Sequence, residues 1–254
     1  MSQLKSVECG DKDEESHLVK LDFTKIKDYD KCPHRYYLLH DFNFKVSHDE
    51  FTYMGIIVHK IFQMINKEIM ENNGKLSKER VLEIANGILD ANHRFSREDE
   101  DKREDILRNV SYFYDKYGEN MDILASETPF NLQDTHNVLN GVIDMVYVKD
   151  GKLGILEYKN SFFDPKKLDL YKEQLHLYMH ALSKNPRFKD YEVEELKVYA
   201  VKSRKMIDIP IDNNELAKVE KKIKETTSRT LDKDFEKSEN LENCEDCSFK
   251  TICS

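Results

Sequence analysis

No apolar run in the 254-residue chain approaches the roughly 20 residues that a membrane-spanning helix needs. The first residues, Met-Ser-Gln-Leu-Lys-Ser, lack the apolar core of a signal peptide. Both absences point to a cytoplasmic protein without membrane attachment. No Gly-x4-Gly-Lys-[Ser/Thr] run occurs, which excludes a phosphate-binding loop and a nucleotide-driven motor of the chain's own. There is no internal repeat and no low-complexity linker. Positive charge is in deficit: 40 Lys and Arg against 49 Asp and Glu leave −9, which looks wrong for a protein that grips a polyanion. The excess is peripheral, since residues 1–16 carry −3 and residues 232–254 carry −4, leaving −2 on the body 17–231. Inside the body Lys197, Lys202, Arg204 and Lys205 cluster, as do Lys218, Lys221, Lys222 and Lys224, which leaves room for a local basic groove. Cysteine is scarce too. Of five, only Cys9 and Cys32 lie outside the last 11 residues.

Among what is present, the stretch Gly141–Lys159 stands out. Val142–Val148 is β-branched enough for a buried strand, Asp150-Gly151 is a hairpin turn signal, and Leu153–Lys159 is a second strand. Into this apolar ribbon the chain sets Asp144, Glu157 and Lys159. Alternation puts Glu157 and Lys159 on one face and Tyr158 on the other, and normal pairing lets Asp144 join them. Two carboxylates beside a lysine can hold a divalent metal and manage an attacking water. A hairpin with one charged face in solvent would read the same, so the rest of the chain must decide.

Taken in order, residues 1–20 form a polar, mobile leader. Thr24 is placed to cap a short helix through Tyr29, and His34–His40 resumes as a second. Helical stripes run over Phe51–Asn73, from a Ser77 cap through Leu89, and over Glu98–Tyr117. The period then changes: Ile123–Phe130 is a strand, followed by the hairpin. Asp164-Pro165 opens a helix to about Leu182, Leu196–Val201 and Met206–Ile211 are strands, and Asp212 with Glu215 has capping-box spacing before a last helix toward Leu231. The expected organisation is one domain over 21–254. It has a helical part at about 24–120, a mixed α/β core at about 121–231 and a cysteine tail at 232–254 tied to Cys32.

Cys244, Cys247 and Cys253 make three ligands of a tetrahedral metal site. Cys32 is the best fourth, because Cys9 lies in the polar leader. A centre joining Cys32 to Cys244 closes a loop of 212 residues, a crosslink worth about 5 kcal/mol before strain. Zinc and a [4Fe–4S] cluster both fit cysteine ligation. His59, Gln174, Tyr178 and Glu127 each read alone as packing or surface residues.

Together, in the order Cys32-Pro33, Gly55-x3-His59, Glu127-x-Pro129-Phe130, Gly141-Val-Ile-Asp144, Glu157-Tyr-Lys159, Gln174-x3-Tyr178 and Cys-x2-Cys-x5-Cys, the motifs resemble the RecB-like nucleases of the PD-(D/E)xK superfamily. The closer likeness is to their iron–sulfur branch, which holds AddB-like and UvrD-helicase-associated nuclease domains and CRISPR-associated RecB-like exonucleases. The resemblance covers residues 22–254. It implies a restriction-endonuclease-like mixed sheet flanked by helices, with an N-terminal helical insertion and a Cys-rich tail. It implies that His59, Asp144, Glu157 and the carbonyl of Tyr158 ligate Mg²⁺ or Mn²⁺, and that Lys159 positions the water and stabilises charge on the phosphate. Gln174 and Tyr178 would orient the site and contact DNA, while Cys32, Cys244, Cys247 and Cys253 would hold a [4Fe–4S] cluster. Two positions depart from the pattern: Ile143 stands where many members have proline, and Glu157 where helicase-linked members have aspartate.

The implied activity is metal-dependent hydrolysis of DNA phosphodiester bonds, as an exonuclease on single-stranded DNA or DNA ends in recombination or repair, with endonuclease action also open. The 67 residues between His59 and Glu127 favour the helicase-associated type, with a helicase subunit or fused helicase as partner, over a CRISPR-associated exonuclease. The rivals are a non-catalytic module that grips DNA ends, and a protein stapled by zinc.

Overall fold

The computed structural model describes residues 18–45, 50–72, 74, 76–92, 100–118, 121–245 and 247–253; Cys9 and most of the expected leader lie outside them. The central hairpin forms as the sequence dictates. Strand β3 (Asn137–Lys149) turns through Asp150 (φ 52) and Gly151 (φ 79), the paired positive φ values of a tight hairpin turn, into β4 (Lys152–Lys159). Strand β2 (Asp122–Gln133) runs antiparallel along one edge of β3. The other edge is shared: β4 pairs with Met145–Lys149, and β1 (Val19–Leu21) pairs in parallel with Asn137–Leu139. Beyond β4 come β5 (Val193–Ala200), parallel to it, and β6 (Lys205–Ile209), antiparallel to β5. The result is a six-stranded mixed sheet.

Strand β1 straddles the expected boundary at residue 20. Three residues flanked by polar chain carry no strand signal of their own; the free edge of β3 makes them one.

Helices cover both faces. On one lie α3 (Glu50–Glu71), α4 (Lys78–Asp90) and α5 (Glu100–Tyr117), whose apolar stripes meet Met145, Tyr147, Leu156, Tyr158 and Tyr199 of the sheet. Phe62 of α3 stacks on Tyr158 with centroids 4.0 Å apart, and both rings are fully buried. Removing such a ring costs about 3–5 kcal/mol, so the helical insertion is part of the core. The other face is covered by α1 (Phe23–Lys31), α6 (Leu168–Ser183) and α7 (Asn213–Leu231).

Several local expectations shift. Helix α1 is capped by Asp22, whose Oδ1 accepts from Lys25 N at 2.8 Å, rather than by Thr24; a carboxylate cap two residues earlier competes well with a hydroxyl. After α2 (Pro33–Tyr36) the chain widens into a π-helical turn over Tyr37–Asp41. Asp164 caps a 3-10 turn at Pro165–Lys167 that leads into α6. Val201 leaves β5 for a 3-10 turn that ends on left-handed Arg204. Half of the capping box on α7 forms. Asp212 accepts from Asn214 N (2.8 Å), but Glu215 pairs with Lys218. The donor that Glu215 would have taken, Asp212 N–H, goes to Nε2 of buried His176 at 3.0 Å.

The C-terminal segment, with α8 (Glu242–Glu245) and α9 (Lys250–Cys253), docks on α1 and α2. Tyr29 donates to the Asp234 carbonyl, Asn243 Nδ2 donates to Lys31 O at 2.7 Å, and Phe235 stacks on Tyr37.

Candidate active site

The site forms where β3 and β4 part. Their pairing ends at Met145↔Leu156, and the next backbone donor of β4, Tyr158 N–H, bonds to the Asp144 carboxylate at 2.7 Å. The side-chain alternation of β3 changes phase at this point. Leu139 and Ile143 share a core with Val146, whereas Met145 and Tyr147 face the other one. Opposite Asp144, β2 carries its own distortion: Glu127, between the paired residues Ser126 and Thr128, sits at φ 48. A left-handed non-glycine residue inside a strand stores strain. Here it accompanies a carboxylate turned toward Asp144. One donor atom from each of His59, Glu127 and Asp144 lies within 4.8 Å of the others. His59 Nδ1 is 3.3 Å from Asp144 Oδ1 and 3.9 Å from Glu127 Oε1.

Glu157 and Lys159 share the face that the hairpin pattern assigned them, with Tyr158 buried on the opposite side. Lys159 Nζ lies 2.6 Å from Glu157 Oε1 and 2.8 Å from Gln174 Oε1. Gln174 Nε2 donates to the same Glu157 oxygen (2.9 Å) and to the Tyr178 hydroxyl (2.8 Å). Burial, with Asp144 adding repulsion against the opposing pull of Lys159, pushes Glu157 up to about 8. At His59 burial disfavours the imidazolium, but the hydrogen-bonded Asp144 and Glu127 outweigh it and raise the ring to about 10.

The donor set fits a hard divalent cation. It offers carboxylate oxygens and one imidazole, the ligands that Mg²⁺ and Mn²⁺ accept. Glu157 Oε2 is buried without a hydrogen-bond partner, a cost that a cation or its water would remove. Glu127 is the candidate ligand that the sequence reading did not include. The only sequence signal was its place two residues before Pro129-Phe130, which does not reveal a left-handed backbone. Gln174 and Tyr178 stand together on α6 beside Glu157. Both are 7 % exposed, and the Tyr178 ring packs edge-on against Phe130. Phe130 in turn pairs with Gly141, where a Cβ would come within 2.3 Å of its ring. The separated motifs Pro129-Phe130, Gly141 and Tyr178 are therefore one packing unit beside Asp144.

A family model described as the PD-(D/E)XK nuclease superfamily matches residues 20–254. The chain belongs to the PD-(D/E)XK nuclease superfamily. Members hydrolyse nucleic acid with divalent metals, and the mixed sheet with flanking helices is their fold. Among solved structures, a presumed exonuclease of Eubacterium rectale is similar, at TM-score 0.54 and 14% identity, over 100% of this chain and 94% of that one. A Vibrio cholerae protein matches at TM-score 0.26 and 13% identity, over 84% and 56% of the two chains. No curated protein matches the sequence.

A second cluster lies at the C-terminal segment. Cys32, Cys244, Cys247 and Cys253 are free and half-buried. Burial, partly offset by Lys237 and reinforced by the Cys247, Cys32 and Cys244 thiols, raises the Cys253 thiol. Two of the sulfurs have donors nearby: Ser238 N–H lies 3.4 Å from Cys32 Sγ, and Arg35 Nη1 4.0 Å from Cys247 Sγ. No helix among the described residues is long and apolar enough to cross a membrane.

Proposed function

We propose that this nuclease is a Mg²⁺- or Mn²⁺-dependent deoxyribonuclease that trims single-stranded DNA or processes DNA ends. The observation that carries this is the convergence of His59, Glu127 and Asp144 beside the Glu157–Lys159–Gln174 network. His59, Glu127, Asp144 and Glu157 would hold the cation, with the Tyr158 carbonyl as a further ligand. When bound, the cation would supply Lewis acidity and lower the pKa of a water. Lys159 places fixed positive charge where negative charge develops on the phosphate. Gln174, steadied by Tyr178, fixes the orientation of Glu157 and Lys159 and so avoids reorganisation during attack. Water attacks in line, with no covalent enzyme intermediate. The Eubacterium rectale relative, a presumed exonuclease, agrees with action at ends.

We also assign the four cysteines to a [4Fe–4S] cluster that ties the C-terminal segment to α1 and α2 across residues 21–254. Such a staple and the long insertion α3–α5 favour the helicase-associated type, working beside a helicase subunit or a fused helicase in recombination or repair.

The test is cleavage of single-stranded DNA labelled at either end, by protein purified without oxygen, with Mn²⁺, Mg²⁺ or chelator. Metal-dependent shortening from an end is expected. Folded, metal-loaded protein that binds DNA and cuts none of it is a binding module, and the enzymatic reading fails. Calorimetric titration with Mn²⁺ checks the ligands independently, because Glu127→Gln should weaken metal binding about tenfold or more.

A further inference from the structure

We propose that the cavity beside the active site takes one unpaired nucleobase of the strand being cut. The proposal rests on the nuclease reading above and deepens it. The cavity, of ≈ 690 Å³, lies between α3, α5, the residues that follow β4 and the turn joining β5 to β6. It adjoins the site through the chain itself: Val58 in its wall precedes His59, and Asn160 follows Lys159. A space of that size accepts a nucleotide-sized ligand. A double helix does not enter it, so its occupant is a base already out of the stack.

The walls carry the three kinds of group that such a base needs. Nδ2 of Asn160 is buried and has no hydrogen-bond partner. It is a donor suited to a base carbonyl or ring nitrogen, and leaving it unmet is costly. Phe162 is 69% exposed, and the backbone beside it is anchored where the next residue, Phe163, donates its N–H to Ser203 Oγ at 2.7 Å. An exposed aromatic ring at the rim is a stacking platform for any base. The lining also brings the Arg204 guanidinium into the wall. Arg204 is aimed by its left-handed backbone (φ 50) and by the 2.7 Å bond from Nε to buried Asn109. Positive charge here meets the sugar–phosphate backbone, which any sequence offers. An unpaired base seated one step from the scissile phosphate requires single-stranded or frayed DNA. In this protein strand selection therefore lies in the cavity rather than in the carboxylates.

The experiment measures binding of a labelled 12-nucleotide single strand by fluorescence anisotropy, in the Lys159→Ala background so that nothing is cut. A series of otherwise identical strands carries an abasic site at each position in turn. Loss of one particular base should weaken binding about tenfold. Phe162→Ala, at an exposed position that leaves the fold intact, should weaken the intact strand by a similar factor and abolish the abasic penalty. Asn160→Ala should reduce that penalty in part. Equal binding of every abasic strand overturns the proposal, as does unchanged discrimination in Phe162→Ala. Cleavage by the wild-type protein is scored separately. Cutting without an abasic penalty sinks the cavity alone, whereas a penalty without cutting keeps the cavity and sinks the nuclease reading.

Discussion

The carboxylate site and the cysteine lobe are held by opposite means. Around Asp144 and Glu157 the chain packs two cores against both faces of the sheet, and every strand that supplies a site residue is internally hydrogen-bonded. Behind the site, Tyr114 donates to Asn66 at 2.7 Å, Asn66 bonds to Ser126 at 3.1 Å, and Ser126 donates to the Asp144 carbonyl at 3.2 Å. The cysteine lobe instead has two four-residue helices, a large exposed Leu241 and Ile252, and Phe249 as its one buried apolar side chain among the described residues. Segments so short do not stabilise themselves. The contrast teaches that the first region can lose function without losing structure, and that the second should lose structure when the proposed metal crosslink goes.

The comparison breaks most visibly at the catalytic end. Lys159→Ala should lower cleavage by about 10³-fold, while the melting temperature moves by only a few degrees. Asp144→Asn should do the same, because the amide oxygen still accepts the Tyr158 N–H. Near-normal turnover in either purified variant would remove that residue from the machinery. At the other end, Cys247→Ser should lose iron and sulfide and up to about 5 kcal/mol of stability, roughly 10–20 °C in a chain of this size. Proteolysis should then reach both the C-terminal segment and the Cys32 region. Cys9→Ser is the control, and iron retained in full by Cys247→Ser would show that the ligands were misassigned. The smallest effect sharpens the boundary between packing and chemistry. Tyr178→Phe removes only the hydroxyl that Gln174 contacts, so activity should fall a few-fold at an unchanged melting temperature. Tyr178→Ala removes a buried ring and should cost about 3–5 kcal/mol. Equal melting temperatures for the two variants would mean that the ring is not core.

Much of this was legible in the residues. Periods of 3.6 and 2, with Asp150-Gly151 between them, define α3 to α5, the central hairpin, α6 and α7. Alternation alone places Glu157 and Lys159 together. Helix spacing alone pairs Gln174 with Tyr178. These are local geometric consequences of backbone repeat, which the chain carries wherever it folds. What only the tertiary structure decided is everything that depends on a neighbour distant in sequence. Val19–Leu21 becomes a strand because the edge of β3 is open beside it. Asp212 gives its N–H to His176 rather than to Glu215 because α6 brings that ring to the end of the next helix. Glu127 joins His59 and Asp144 because β2 and β3 distort at facing positions, a strain that packing on both sides must hold. The sequence alone determined which chemical groups the protein has and the local faces on which they stand. Their convergence into one site was decided by long-range packing, since no local pattern records where two bent strands meet.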